Sequence, residues 1–197
     1  MDTADLTARW AEAWGDWRPV SHELPVRGNE RWVRFHSLPG SKRYAGNEDE
    51  YAEIIRRHLI VLAELLSHDN ASAERELLVV TVSWSDAPGP VPRSAELSRA
   101  LPTAAYWTSV LTGINAPDDT WWHLWVSAAR LHSQELSQLL RLVADYGTAG
   151  VIITTANMGW LYAPYDGGAD VIAATADHRN QLHRAHKDWL SDHPAGL

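Results

Sequence analysis

The sequence predicts an α+β fold, in which helices pack against a mainly antiparallel or mixed sheet. Apolar residues recur at helical spacing in some segments and alternate in others. The resulting order, α-β-α-β-β-β-α-β-β-β-α, mixes local hairpins with helical connections. The one stretch that resembles a linker, SDAPGPVP at 85–92, is too short to separate two domains. We therefore expect residues 1–197 to form a single α+β domain.

The N-terminal segment predicts a helix followed by a strand. The helix ends near residues 15–19, and its apolar residues at helical spacing are Leu6, Trp10, Ala13, Trp17 and the adjacent Trp14. The strand is RWVRFHS at 31–37, where Val33 and Phe35 lie on one side and the residues between them lie on the other. This alternation is typical of a half-buried strand.

The clearest helix of the chain follows the loop LPGSKRYAG. Asn47 is its predicted N-cap, and Glu50 at the third helical position completes a start that resembles a capping box. Its apolar stripe consists of Tyr51, Ile55, His58, Leu62 and Leu65. The β-branched run ELLVVTVSW at 76–84 then predicts a strand that is buried on at least one face.

The second half of the chain predicts two further groups of strands, each followed by a helix. Residues 94–101 form a short helix, and the runs at 106–111 and 120–127 form an antiparallel pair joined by a turn. The apolar positions of the next helix are Leu136, Leu139, Leu140, Val143 and Tyr146. The remaining elements are strands at 151–155, 160–164 and 171–173, with YDGGAD as the last turn, and a helix at 177–191.

The composition excludes several kinds of site. The chain has no cysteine, so disulfides, zinc-thiolate sites, iron–sulfur clusters and thiol nucleophiles are absent. The first nine residues hold no apolar run, and the longest apolar stretch, Leu59–Ala63, is far shorter than the ~20 residues that cross a bilayer. We expect a cytoplasmic, soluble protein with no membrane contact and no cofactor.

The net charge of −8 argues against nucleic acid as a partner, because binding to phosphates requires a surplus of Lys and Arg on one face. A basic or neutral protein partner is easier to accommodate. Eleven tryptophans stand against one phenylalanine. Most of them are expected in the core, where each indole N–H requires a hydrogen-bond partner.

Two loops carry charges that suggest binding. Lys42 and Arg43 lie between a strand and a capped helix, where they could bind an anion, but the preferred interpretation is a turn whose basic pair is solvated or pairs with the acids at 47–50. Asp166 and Asp170 flank two glycines and suggest a site for a cation or a guanidinium, with a structural turn as the alternative. Two carboxylates are too few for a metal site, and we predict none.

Histidine and tryptophan clusters give weaker indications. His183 and His186, with His178 a turn earlier, have a spacing that could bind metal, but an exposed polar helix face is the preferred interpretation. His58 is expected to be a hydrogen-bonded core histidine. A possible interface lies on one side of the strand at 120–127, unless a helix covers it, and consists of Trp121, His123 and Trp125.

Three segments resemble a bacterial family known only as a domain of unknown function. They are RFHSLPGSKRYAGNEDEYAEIIRRH at Arg34–His58, WLYAPYDGGADVI at Trp160–Ile172 and WLSDHPAGL at Trp189–Leu197. The resemblance implies no activity, but it selects the positions Ser37, Lys42, Arg43, Tyr44, Tyr165, Asp166 and Asp170. Their charges are complementary, so we predict that the two loops meet, with Arg43 or Lys42 near Asp166 or Asp170.

Three functions are compatible with these features. The favoured one is a protein-binding inhibitor of the immunity or antitoxin type, because the chain is small, acidic and rich in aromatic residues, with no recognisable catalytic motif. The second is an enzyme that binds a small anion through Lys42 and Arg43 and uses Asp166, Asp170 or His36 as acid or base. The third is a regulatory or scaffold module without chemistry.

Overall fold

The strands of the protein form one seven-stranded antiparallel sheet in the computed structural model, which describes residues 3–69, 76–112 and 120–191, except the side chains of 28 and 29. The strands are Trp32–His36 (β1), Leu77–Ser85 (β2), Ala105–Thr112 (β3), Thr120–Ala129 (β4), Ile152–Thr155 (β5), Leu161–Tyr165 (β6) and Gly168–Ile172 (β7). Their order is β1-β7-β6-β5-β2-β4-β3, and each neighbouring pair is antiparallel. The predicted α+β class is therefore confirmed.

Helices cover both faces of the sheet. They are Thr3–Trp14 (α1), Leu24–Gly28 (α2), Glu48–His68 (α3), Ala95–Ala100 (α4), Gln134–Ala144 (α5) and Ala176–Ala185 (α6). Short 3-10 turns occur at Ser21–Glu23, Asn29–Arg31, Pro39–Ser41 and Lys187–Trp189. Among the described residues, no helix is both long and apolar enough to cross a membrane.

Strand β2, next to the central strand β5, is buried on both faces over most of its length. Leu77 and Val79 belong to the core beneath α3, α4, α5 and α6. Leu78 and Val80 point the other way, into the core beneath α1 and the start of α2. Because successive strand residues point to opposite faces, a continuous apolar run is what a strand between two helical layers requires.

The start of α3 is fixed by its own side chains. Asn47 accepts a hydrogen bond from the backbone N–H of Glu50 at 3.0 Å, which confirms the predicted cap. The Glu50 carboxylate accepts from the backbone N–H of Gly46 at 2.6 Å, one residue earlier than a capping box would place it. The loop before the helix is thereby tied to the first helical turn.

The first helix buries a different tryptophan from the one predicted. α1 ends at Trp14, which is buried together with Leu6 and Trp10, whereas Ala13 is exposed. Trp17 lies beyond the helix and is half-buried; its backbone oxygen accepts the indole N–H of Trp10 at 2.7 Å. The helix stops early because Gly15 takes a left-handed conformation, with φ of 64°.

The last turn of the sheet is shorter than predicted. β7 already begins at Gly168, so only Asp166 and Gly167 form the turn and Asp170 lies within a strand. A Cβ atom built on Gly168 would lie 1.9 Å from the backbone oxygen of Phe35 in the adjacent β1. The absence of a side chain at Gly168 thus permits β1 to pair with β7.

Two predictions about the C-terminal helix are wrong. Its α-helical part ends at Ala185, and His178 and His186 are buried, whereas His183 is exposed as expected. The ring of His178 stacks on His68 with centroids 3.7 Å apart, because α6 packs near the end of α3. The predicted turn at 113–119 and the final residues 192–197 of the WLSDHPAGL motif lie outside the described residues.

Candidate functional site

The two predicted loops meet through an ion pair and a backbone hydrogen bond, which runs from the N–H of Ser37 to the oxygen of Gly167 at 3.0 Å. Arg43 donates from Nε to Asp166 Oδ2 at 2.8 Å and from Nη2 to Asp166 Oδ1 at 3.1 Å. The carboxylate side chain is 4% exposed and the arginine side chain is 60% exposed. The turn between β6 and β7 therefore holds the loop before α3 by a bidentate contact. The predicted approach of Arg43 to Asp166 is confirmed.

Lys42 makes a separate contact with the first turn of α3. Its ammonium group donates to both carboxylate oxygens of Glu50, each at 2.6 Å. These bonds, with the one from the backbone of Gly46, hold the pKa of the Glu50 carboxyl below its usual value. The charge of Lys42 is thus used to fix the loop to its own helix.

Asp170 binds an arginine that the sequence analysis did not select. Arg34 donates to Oδ1 and Oδ2 of Asp170 at 2.8 and 2.9 Å, and the indole N–H of Trp32 donates to Oδ1 at 2.8 Å. Asp170 pairs with Arg34 in the β1–β7 register. The signal was present in the alternation of RWVRFHS, which places Trp32 and Arg34 on one side of β1. Asp166 and Asp170 therefore hold two different guanidinium groups and do not face one point.

Ser37 and His58 lie inside the protein. The Ser37 hydroxyl is 3.4 Å from His58 Nε2, and the Tyr162 hydroxyl is 2.5 Å from His58 Nδ1. Burial lowers the pKa of His58 to about 4, so the imidazole is neutral, as predicted for a core histidine. The cavity beside them has a volume of about 10 Å³, enough for roughly one water molecule. No substrate can enter at Ser37.

Tyr165 also has a packing role. Its ring lies beneath the guanidinium of Arg34, 5.1 Å from ring centroid to Cζ, and burial raises its pKa to about 12. The edge of the same ring covers Gly167. Tyr165 therefore shields the Arg34–Asp170 pair from water and strengthens it.

Two tyrosine side chains near the joined loops are exposed. Tyr44 is 54% exposed and Tyr146 is 71% exposed, while the guanidinium of Arg43 lies 5.5 Å from the ring centroid of Tyr44. The pKa of Arg43 is raised first by its hydrogen bonds to Asp166, then by charge interactions with Asp166, Tyr44 and Tyr146. Tyr44 contacts Arg43 through its ring, and Tyr146 is near enough for a charge interaction with the same guanidinium. We call Arg43, Tyr44 and Tyr146 the tyrosine–arginine surface.

Tyr146 occupies a backbone position that normally belongs to glycine. Its backbone N–H donates to the backbone oxygen of Val143 at 3.0 Å, and that of Gly147 donates to the backbone oxygen of Leu142 at 2.8 Å. These two hydrogen bonds form a Schellman motif at the end of α5. The φ of Tyr146 is 57°, in the left-handed region that costs about 1–2 kcal/mol for a residue with a Cβ. The sequence analysis placed Tyr146 on the apolar stripe of the helix, and that prediction is wrong.

A contact between α5 and α3 lies near this surface. Arg141 on α5 donates two hydrogen bonds of 2.7 Å to Glu48 at the start of α3. The same guanidinium stacks on Tyr51 at 4.0 Å, and the Tyr51 hydroxyl bonds to Asp145. The end of α5 is thus held against the start of α3.

The predicted interface on β4 is largely covered. His123 is completely buried, whereas Trp121 and Trp125 are half-buried. The indole N–H of Trp125 donates to Ser83, and the guanidinium of Arg93 lies over the Trp125 ring. Arg93, in the segment that follows β2, provides this cover rather than a helix. His123 is therefore unavailable to a partner.

The family Domain of unknown function (DUF3885) matches residues 20–194. The chain belongs to this family. The DUF3885 match includes both loops, the whole sheet and the tyrosine–arginine surface, while α1 with Trp10 and Trp14 precedes it. No curated protein and no solved structure matches this DUF3885 chain.

Proposed function

We propose that the protein is a protein-binding inhibitor of the immunity or antitoxin type, which uses the tyrosine–arginine surface to cover a toxin or a regulator. The observation that carries the proposal is Tyr146, a 71% exposed aromatic side chain at a left-handed position. A glycine there would remove the backbone strain and the exposed ring together. Backbone strain of this kind is commonly kept at functional sites, and a partner that covers the exposed ring would explain why a tyrosine occupies this position.

The composition of the surface supports a protein partner. Tyrosine and arginine are enriched among the residues that contribute most to binding energy, because they bury a large area and still form hydrogen bonds. Tyr44 and Tyr146 offer two such rings, and the guanidinium of Arg43 lies beside the first. Two rings and one guanidinium make a small anchor that a complementary protein surface can enclose.

The ion pair with Asp166 prepares Arg43 for binding. A free arginine side chain loses rotamer entropy when a partner immobilises it, at a cost of about 0.5–1.5 kcal/mol. Two hydrogen bonds already hold Arg43 to a carboxylate that is 4% exposed. The loop and its side chain are thus ordered before the partner arrives, which favours tight binding.

The overall charge indicates a basic partner. The chain carries a net charge of −8. Charge complementarity of this kind accelerates association and rejects acidic competitors. A cytoplasmic location, favoured by the absence of cysteine, belongs to the same proposal.

The alternative of an enzyme acting on a small anion has less support. Lys42 and Arg43, which would bind that anion, form ion pairs with Glu50 and Asp166. Asp170, a possible acid or base, accepts three hydrogen bonds from Trp32 and Arg34. An anionic substrate would have to compete with carboxylates that are already in place.

The proposal is tested by capture followed by a growth assay. Tagged wild-type protein and the double variant Tyr44→Ala/Tyr146→Gly are used to capture proteins from an extract of the native host. A basic protein retained by the wild type, lost by the double variant and retained by Val26→Ala is expected. Val26 is a suitable control because it is 82% exposed and apolar but lies on α2.

The captured protein is then expressed with and without the wild-type chain. Growth arrest that co-expression relieves would support an inhibitor of the immunity type. Equal capture by the wild type and the double variant would show that the tyrosine–arginine surface does not bind the partner. A captured protein that stays toxic when the wild-type chain is co-expressed would overturn the inhibitory role.

A further inference from the structure

A hydrogen-bonded chain of four side chains crosses β2, β4 and β3, apart from the tyrosine–arginine surface. The Ser109 hydroxyl is 2.7 Å from Nδ1 of His123, and the Ser85 hydroxyl is 2.8 Å from Nε2 of the same ring. The hydroxyl of Tyr106 is 2.8 Å from that of Ser109. His123 is completely buried, Ser85 and Ser109 are partly exposed, and Tyr106 is 36% exposed. This series of hydrogen-bonded side chains therefore extends from solvent to a buried imidazole.

The hydrogen bonds of Ser85 favour one tautomer of the His123 ring. Its single hydroxyl proton is donated to the backbone oxygen of Ala87 at 2.9 Å. When the hydroxyl donates to Ala87, Ser85 accepts from His123, so that Nε2 carries the hydrogen and Nδ1 presents a lone pair. That lone pair faces Ser109, which donates to it and accepts from Tyr106. In this arrangement each hydrogen bond of the series has one donor and one acceptor.

A bulge in β3 brings Tyr106 and Ser109 to the same side. Residues three apart in a regular strand point to opposite faces. The register shifts between Tyr106 and Thr108, and the additional residue, Trp107, turns to the other face, where its indole N–H bonds to Thr7 at 2.8 Å. Tyr106 pairs with Trp125 and Ser109 with His123, two neighbours on one face of β4. Bulges commonly redirect side chains in this way at reactive sites.

We propose that Ser109 is a nucleophile that accepts an acyl group from small, apolar carboxylic esters. His123 is its general base, Ser85 is a positioning residue for the imidazole, and Tyr106 donates to the oxyanion. A nucleophile, a base and a group that orients the base, all within hydrogen-bond distance, are the arrangement that nucleophilic catalysis requires. This activity is independent of the proposed protein binding.

The acylation step balances within these groups. Ser109 Oγ forms a bond to the carbonyl carbon of the ester while its proton passes to Nδ1 of His123. The negative charge on the carbonyl oxygen is stabilised by the Tyr106 hydroxyl, as in other oxyanion sites. When the bond from carbon to the leaving oxygen breaks, His123 returns the proton to that oxygen. The products are an acyl ester of Ser109 and an alcohol or phenol.

The neighbours of Ser109 indicate the substrate class. Leu111 and Trp121 form the next cross-strand pair on the same face, and both are half-buried. Trp125 and Tyr106 pack edge to face on the other side of Ser109, with ring centroids 5.6 Å apart. Apolar groups therefore flank the hydroxyl in both directions along β3, which favours a short acyl ester with an aromatic leaving group as the substrate.

The experiment uses p-nitrophenyl acetate and a fluorophosphonate probe on the full chain. We expect a burst of about one p-nitrophenol per chain and one acetyl or phosphonyl group on the peptide that contains Ser109. Ser109→Ala should remove the label. Ser137→Ala, a partly exposed serine on α5 with no histidine contact, should leave it unchanged. The label should also disappear when the wild-type chain is unfolded in urea.

Two further variants test the roles of the base and the positioning residue. His123→Asn should slow labelling by about 100-fold or more, the usual contribution of a general base. Ser85→Ala lies nearer the surface; it should slow labelling and change its pH profile, because the imidazole loses its fixed tautomer, and Ser85→Thr should restore both. No label on Ser109 in the folded wild type, or labelling that Ser85→Ala and a folded His123→Asn leave unchanged, would overturn the proposal.

Discussion

Arg43 and Asp166 are 123 residues apart in the sequence and are joined by two hydrogen bonds, with the carboxylate buried and the guanidinium exposed. This arrangement gives the pair two roles. The buried carboxylate fixes the loop before α3 to the turn between β6 and β7, and the exposed guanidinium forms part of the tyrosine–arginine surface. The same contact thus connects the fold to the proposed function.

Asp166→Asn is expected to lower the melting temperature by several degrees. The variant keeps the shape of the side chain but removes the charge that the bidentate hydrogen bonds of Arg43 require. Thermal unfolding followed by circular dichroism gives the measurement.

The matched control for this pair is Glu96→Gln. It breaks the Arg99–Glu96 pair, whose side chains are 76% and 56% exposed, and exposed pairs contribute little to stability. Equal melting temperatures for Asp166→Asn and Glu96→Gln would show that the joined loops do not contribute to the stability of the fold.

Gly168→Ala is expected to destabilise the protein by about 3 kcal/mol or more, because its Cβ would overlap the backbone oxygen of Phe35 and separate β1 from β7. Urea unfolding measures the change. Gly89→Ala is the control, since no atom lies within 4 Å of the Cβ position there. A Gly168→Ala protein as stable as the control would contradict the close pairing of the two strands.

The stability of the protein should fall as the pH decreases from 6.5 towards 4. Burial lowers the pKa of His58 to about 4, so in this range the unfolded chain binds a proton that the folded chain does not. The free energy of unfolding therefore decreases as the pH falls, by up to about 3 kcal/mol for this residue. The pKa of His178 is also lowered to about 4, first by burial and then by the nearby His68, and it acts in the same range.

A variant separates this titration from packing. His58→Asn should reduce the slope of stability against pH between 6.5 and 4, whatever its effect on stability at pH 8. Urea midpoints measured across this pH range provide the comparison, and a wild-type protein with a flat profile would refute the neutral buried histidine.

Local patterns in the sequence predicted the elements of the fold well. The alternation around Val33 and Phe35 defined β1, and the Asn47 cap defined the start of α3, because both depend on residues close together in the chain. The end of α5 was misplaced because Tyr146 continues the apolar spacing although its backbone has left the helix. Periodicity reports the residue type, not the backbone conformation.

The candidate site was predicted only in part, because its contacts span distant segments. Complementary charge correctly paired Arg43 with Asp166, but it could not assign Asp170 to Arg34 without the β1–β7 register. The burial of His178 was missed for a similar reason, since it depends on how α6 packs near His68. Such contacts are set by the whole fold rather than by spacing.

Tyr146→Gly should stabilise the free protein by about 0.5–1 kcal/mol. Glycine relieves the strain of the left-handed backbone at this position. Part of this stabilisation is lost because glycine also makes the unfolded chain more flexible. The melting temperature of the isolated protein tests this directly. A fall in stability would mean that the Tyr146 ring contributes packing that outweighs the strain.

The central claim is that the tyrosine–arginine surface binds a protein, and the affinity of the captured partner for Tyr146→Gly tests it most directly. Titration calorimetry with the wild-type and variant chains gives the two Kd values. We predict a variant that is more stable yet binds about 30-fold more weakly, as expected when a dominant interface residue is lost. A Kd that stays within twofold of the wild-type value in a folded variant would contradict the claim.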